Sequence, residues 1–471
     1  MKRSFILQKG VVSSLLTLVL LVATSSAQVP APVNQDVVAR INEYMDAVVK
    51  IGKFNGSLLI ARDGAVVVNK GYGMSNFELD VPNTPQTKFR IGSITKPFTA
   101  IAVMLLQQRG KLSVQDSICK YVADCPAGWQ QITLHHLLSH TSGLAKHDKA
   151  GDYLKTAMMP MSVMQLIERF KNKPADFKPS EKFDYNNNGY ILLGHVIEKA
   201  SGQSYEAFLK DNIFVPLGMA NTGYDSHEPI IKNRAAGYLR PDDRVGGSLM
   251  NAVYIDQSQS YSAGGLYSTT EDLLRLDQAL LGDKLLSPKT QEAMFTPAIG
   301  EYGPAPNYGY GWFVNRQFNR RAIFHPGGVP GFTGMMTRFP DDKLVIIFLG
   351  NLENSQVIRA SRDLSALIFG EKYEIPKERT SVKIDPKVLV AYVGEFEDRP
   401  GRITTILVEN DTLMLKLAGQ PVGVPLLAES DTQFFHPVQD IQVAFVKNAN
   451  NEVVEMTLRL NGREFRAKKI K

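Results

Sequence analysis

Val37, Val38, Ile41, Tyr44 and Val48 recur at three- and four-residue intervals, which predicts a helix reaching about Lys53. The texture then changes to short apolar runs at 56–61 and 66–70, joined by Asp63-Gly64, a turn pair suited to a hairpin. Helical spacing returns over 92–108, where Ile94, Phe98, Ile101 and Leu105 share a face and Gly110 suits the C-terminal cap. Pro97 fits only if this helix begins near Ser93, because first-turn amides lack intrahelical partners anyway.

Residues 111–300 alternate loops with helical segments at 134–139, 161–170, 190–200 and 270–281. Strand-like patterning resumes at Ile323. Residues 334–339 and 343–349 read as a hairpin through Asp341-Asp342, and 357–369 as a closing helix. Strands thus flank a helical insert, and one antiparallel sheet can collect both sets. Residues 373–387 are polar, carry Pro376 and Pro386, and read as a linker. Residues 388–471 alternate in short runs such as 453–460 between turn signals at Asn410-Asp411, 448–451 and Asn461-Gly462. The expected fold is α+β: an antiparallel sheet flanked by helices with a helical subdomain, plus a small all-β, barrel-like C-terminal domain.

The first 27 of the 471 residues read as a secretion signal. Lys2, Arg3 and Lys9 precede an apolar stretch too short to span a bilayer, and Ser25-Ser26-Ala27 supplies a cleavage site. No cysteine follows that stretch to carry a lipid, and no later run is long enough for a membrane helix. The expectation is an exported protein, periplasmic or extracellular, with a hydrolase domain over 28–372. The formal charge of +6 falls to +3 without the three basic leader residues, which gives no support to nucleic-acid binding. Cys119 and Cys125 are the only cysteines, and an oxidising compartment would allow a disulfide between them.

Three short segments carry the candidate chemistry. Ser93-Ile94-Thr95-Lys96 puts a lysine one helical turn from a serine, within reach of its hydroxyl. A serine is a weak nucleophile until a base takes its proton, and a lysine beside it can do so. A backbone amide at a helix start also faces a developing oxyanion. Ser117-Ile118-Cys119-Lys120 repeats the spacing, but it follows Asp116 in a loop beside the cysteines. Only Ser93 has a strand-loop-helix setting. Tyr185-Asn186-Asn187 offers a phenol that can pass a proton and an amide that can hold a substrate amide. His325-Pro326-Gly327-Gly328 opens a strand, and glycine there lets backbone approach a ligand. His135, His136 and His140 lack an acidic motif of the His-Glu-x-x-His kind, so no metal or other cofactor is assigned.

In this order the three segments resemble the serine β-lactamase and penicillin-binding-protein superfamily, in the branch holding class C β-lactamases, D,D-carboxypeptidases, D-aminopeptidases and esterases. Residues 89–96, 137–144, 185–194, 262–266 and 325–334 carry the resemblance, which spans about residues 35–370. It implies a β-lactamase/transpeptidase-like fold with the site between a sheet layer and a helical part. It implies Ser93 as acylated nucleophile, Lys96 as its activating partner and Tyr185 as general base and acid. Asn187, His325 and Gly327 would contact substrate, and the amides of Ser93 and Gly328 would form the oxyanion hole. Class C β-lactamases carry Lys-Thr-Gly where this chain has His325-Pro326-Gly327, and a histidine is largely neutral near pH 7. The expected reaction is cleavage of an amide, β-lactam or ester bond of a small-molecule or peptide substrate through an acyl-serine. The alternatives are a carboxylesterase or D-amino-acid peptidase with little β-lactam turnover, and a penicillin-binding sensor that acylates without turnover. The sequence assigns no oligomeric state.

Overall fold

The computed structural model describes residue 1 and residues 35–146, 156–240, 248–299, 307–418, 420 and 422–471. The expected leader, 1–27, lies outside the described residues apart from Met1. Among the described residues, no helix is long and apolar enough to cross a membrane.

The two sets of strands meet in one six-stranded antiparallel sheet. Its order is Phe313–Gln317, Arg320–Val329, Phe332–Phe339, Leu344–Gly350, Gly56–Arg62 and Ala65–Tyr72. The closing pair joins sequence ends, with Leu58 opposite Phe348 and Ile60 opposite Ile346. Leu344–Gly350 is buried along its whole length. Successive strand side chains point to opposite faces, so an unbroken apolar run needs cover on both. Leu58, Ile60, Ile346 and Phe348 face the helices Gln35–Lys50 and Val357–Phe369. Leu59, Ala61, Val345 and Ile347 face the larger core, which holds Thr95–Gln108, Asn187–Ser201 and Thr270–Leu281.

Within the larger core, a buried ion pair ties the helix Thr270–Leu281 to the sheet. Arg338 is 1% and Asp277 4% exposed. The Arg338 Nε donates to Asp277 Oδ1, and its guanidinium also lies 5.7 Å from the Trp312 ring centre.

The C-terminal strands close an eight-stranded antiparallel barrel in sequence order, from Gly394–Arg399 to Arg463–Lys469. Phe396, Ile406, Leu415, Phe434, Val443 and Met456 fill its interior, as eight-stranded barrels allow. No described residue from 371 to 385 is helical or extended into a strand. Val33–Lys471 nevertheless form one compact unit. Arg359 pairs with Asp440 at 2.8 Å, and Lys53 and Gln356 donate to the barrel carbonyls of residues 437 and 438. Cys119 and Cys125 are joined as a disulfide.

Candidate active site

The strand Phe89–Arg90 feeds a single 3₁₀ turn, Gly92–Ile94, which runs into the helix Thr95–Gln108. Ser93 therefore sits in the turn and not on the α-helix proper, and Pro97 falls in the helix's first turn as its missing amide requires. Phe89–Arg90 is held by Leu266–Ser268, and Arg90 pairs with Asp225, which also binds Arg234. This buried anchor fixes the approach to Ser93.

The strand Arg320–Val329 presses against the 3₁₀ turn, and two glycines permit it. Gly92 has φ +50°, and a Cβ there would stand 2.6 Å from the Gly328 amide nitrogen. A Cβ on Gly327 would stand 2.0 Å from the Ile91 carbonyl oxygen. Any side chain at either position would force the strand off the turn.

Lys96 is fully buried. Its Nζ lies 3.0 Å from Ser93 Oγ and donates to Asn187 Oδ1 at 2.9 Å and to the Ala263 carbonyl at 2.8 Å. Burial holds its ammonium well below the ordinary lysine range. A neutral amine has two N–H donors and one lone pair. The two carbonyl-type oxygens can only accept, so they take both donors, and the lone pair is left for the Ser93 hydroxyl. The Tyr185 ring lies 4.8 Å from Lys96 Nζ. Burial raises the Tyr185 phenol, opposed by its hydrogen bond with Ser93, so it stays protonated near neutral pH.

His325 is fully buried. Its Nε2 is 3.0 Å from the Tyr308 hydroxyl and its Nδ1 is 2.6 Å from the Pro326 carbonyl. Burial first, and then the nearby Lys96, push its pKa down to about 3, against the opposing bond to Pro326. It is therefore a neutral imidazole across the physiological range.

The cleft before Ser93 has a volume of ≈ 180 Å³. Asn187, Ile255, Gln259, Ser260, Gly328 and Pro330 line it, and among the described residues no lining side chain is charged.

Several of these groups were not singled out from sequence. Ile255, Gln259 and Ser260 carry no recognisable motif. Tyr308 sits in the alternating run Tyr308-Gly309-Tyr310-Gly311-Trp312, a cluster that could have flagged it. His140 stacks on Tyr185 with ring centres 4.2 Å apart, and its Nδ1 accepts from the Asn186 amide at 3.1 Å. It thereby supports the Tyr185–Asn187 segment.

The second Ser-x-x-Lys is built differently. Ser117 Oγ donates to the Gln130 carbonyl and caps the turn at Cys119, while the exposed Lys120 pairs with Asp116. The adjacent His135 and His136 are engaged elsewhere: His135 meets Tyr310, and His136 meets Thr133 and Ser180. Among the described residues no three His, Cys, Asp or Glu side chains converge as a metal site would.

Comparison with known proteins agrees with this arrangement. Residues 40–370 match the beta-lactamase family, and residues 378–469 match a domain of unknown function (DUF3471). A penicillin-binding protein of Bacillus subtilis (strain 168) is 30% identical over 417 residues, covering 83% of this chain and 90% of its own. A teichoic acid D-alanine hydrolase of Staphylococcus aureus is 30% identical over 323 residues, covering 68% and 75%. The solved octameric penicillin-binding protein homologue of Pyrococcus abyssi superposes with a TM-score of 0.64 at 27% identity, covering 92% of this chain and 99% of that one. The chain belongs to the beta-lactamase family, within the superfamily of serine β-lactamases and penicillin-binding proteins, and is a serine hydrolase of that type.

Proposed function

We propose that the chain is an exported hydrolase that opens amide or ester bonds with no free carboxylate beside them, through an acyl-Ser93 intermediate. The observation that carries this reading is the fully buried Lys96 amine, whose Nζ lies within hydrogen-bond distance of Ser93 Oγ, Asn187 Oδ1 and the Ala263 carbonyl. In this reading the Ser93 hydroxyl proton moves to Lys96 Nζ as Oγ bonds to the substrate carbonyl carbon. The amides of Ser93 and Gly328 receive the oxyanion. Asn187 keeps its Nδ2 donors for a substrate carbonyl, because Oδ1 is occupied by Lys96. Gly327 contributes by letting the strand edge approach. The bond to the leaving group then breaks, and the proton returns to that group from Lys96 by way of the Tyr185 phenol. Water, activated by the same pair, hydrolyses the acyl-serine and restores Ser93.

The cleft without a charged residue among its described lining and the neutral His325 support this substrate class. A free carboxylate beside the scissile bond would find no cation among the described lining residues. This favours esters and amides over carboxylated β-lactams and over peptides ending in free D-alanine. The relative named a teichoic acid D-alanine hydrolase supports D-amino-acyl esters as candidates.

The test compares kcat/KM for p-nitrophenyl butyrate with that for nitrocefin, a carboxylated β-lactam, from pH 5 to 8. The ester is expected to lead by more than about tenfold, the worth of roughly one missing charge-assisted contact. Both substrates use the same Ser93 and Lys96, so both activities should follow one pH profile and their ratio should stay flat. A ratio that swings toward nitrocefin as pH drops would mean that His325 becomes a cation, and would overturn the assignment.

A further inference from the structure

A second cavity, of ≈ 130 Å³, lies where the end of the first helix, the segment after the sheet and the barrel meet. Five cations border it, Lys53, Arg240, Arg359, Lys377 and Arg379, against two carboxylates, Glu378 and Asp440. Two of these cations are already matched. Arg359 binds Asp363 and Asp440, and Arg379 binds Glu429 and Gln442.

Lys53, Arg240 and Lys377 have no carboxylate in ion-pair contact among the described residues, and Lys53 and Arg240 are the two that repel each other across the cavity. Lys53 Nζ uses two of its three donors on the carbonyls of Pro437, at 2.7 Å, and Val438, at 3.2 Å. Arg240 Nε is buried with no hydrogen-bond partner. The Arg240 guanidinium lies against Gly52, whose φ of +67° and absent Cβ make room: a Cβ there would be 2.9 Å from a terminal guanidinium nitrogen. Burial and then repulsion from Arg240 push the Lys53 ammonium down to about 8, and the opposing pull of Asp440 is the weaker. Two neighbouring cations at a half-buried site repel each other, and a buried guanidinium donor without an acceptor costs free energy. Both are relieved if an oxyanion sits between them, since a guanidinium fork and an ammonium together suit a phosphoryl group.

We propose that this cavity at the barrel junction is a binding site for a phosphoryl oxyanion, held by Arg240 and Lys53. The site is separate from the Ser93 cleft, and it gives the barrel a role in holding a ligand against the hydrolase part.

The probe is inorganic phosphate, titrated by calorimetry into the full chain, with sodium chloride matched for ionic strength. Saturable one-to-one binding is expected for wild type, with affinity at least about tenfold weaker in Arg240→Gln and in Lys53→Gln, each of which removes one charge-assisted contact. Hydrolysis of p-nitrophenyl butyrate should stay within about twofold of wild type, as expected of surface changes away from the catalytic groups. Should Lys53→Gln disturb the junction it bridges, Arg240→Gln still decides, because Arg240 holds no structural partner among the described residues. No saturable binding, or equal binding in wild type and Arg240→Gln, would overturn the proposal. Phenyl phosphate serves as a second arm. Its binding beside phosphate supports the phosphate ester of a larger molecule, and binding of phosphate alone supports the free anion.

Discussion

Ser93→Ala is expected to lower kcat for every ester and amide substrate by about ten-thousandfold or more, with the near-ultraviolet circular dichroism and thermal midpoint unchanged. The reason is chemical. Without Oγ no acyl-enzyme forms, and the oxyanion donors and Lys96 then act only on bound water. The fold should tolerate the change, because Ser93 is only half-buried and its loss removes one oxygen. Lys96 keeps its two other acceptors, Asn187 and Ala263. The matched control is Ser117→Ala. Ser117 shares the spacing to a lysine, but it caps a turn and its lysine is exposed and paired with Asp116. That variant should retain wild-type turnover. Loss of activity in Ser117→Ala with retention in Ser93→Ala would place the nucleophile at the other serine.

Asp277→Ala is expected to destabilise the protein by about 3–5 kcal/mol, read from the urea midpoint. Arg338 would be left charged and fully buried, its Nε without an acceptor, on the central sheet strand Phe332–Phe339. Trp312 lies beside that guanidinium, so its fluorescence reports the site directly. The double change Asp277→Leu with Arg338→Met should recover most of the loss, because a buried pair replaced by apolar groups of similar size is often neutral. A single variant that shifts the midpoint by less than about 1 kcal/mol would mean that water reaches Arg338 and satisfies it.

Much of this architecture is legible from local pattern. The helices Thr270–Leu281 and Val357–Phe369 and the strand Val453–Leu460 begin and end where the periodicity does. Each of these elements buries one regular face, so apolar spacing marks it directly. The strand Phe313–Gln317 escapes such reading because it is a five-residue edge with polar Asn315 and Arg316. The three-stranded sheet that anchors Phe89–Arg90 escapes because its strands are two or three residues long. The start of the active-site helix is shifted from the expected one, because Gly92 takes a left-handed conformation and a 3₁₀ turn precedes the α-helix.

Within the site, the sequence by itself named Ser93 and Lys96 as candidate reactive groups. Ser93 lies on the 3₁₀ turn and Lys96 on the α-helix it runs into, three residues on, so local geometry brings them together. Which serine has a usable base was decided only in the tertiary structure, because Ser-x-x-Lys occurs twice and spacing cannot tell the copies apart. Lys96 is stripped of water and bound by Asn187, 91 residues away, and by Ala263, 167 residues away. His325 is made neutral by burial beside Tyr308, and the cleft wall comes from Ile255–Ser260, a stretch with no pattern of its own. Local periodicity encodes where a side chain points along its own element. Desolvation and long-range hydrogen bonding, which shift the protonation of Lys96 and His325, depend on neighbours that only the register of the sheet and the packing of the helices supply.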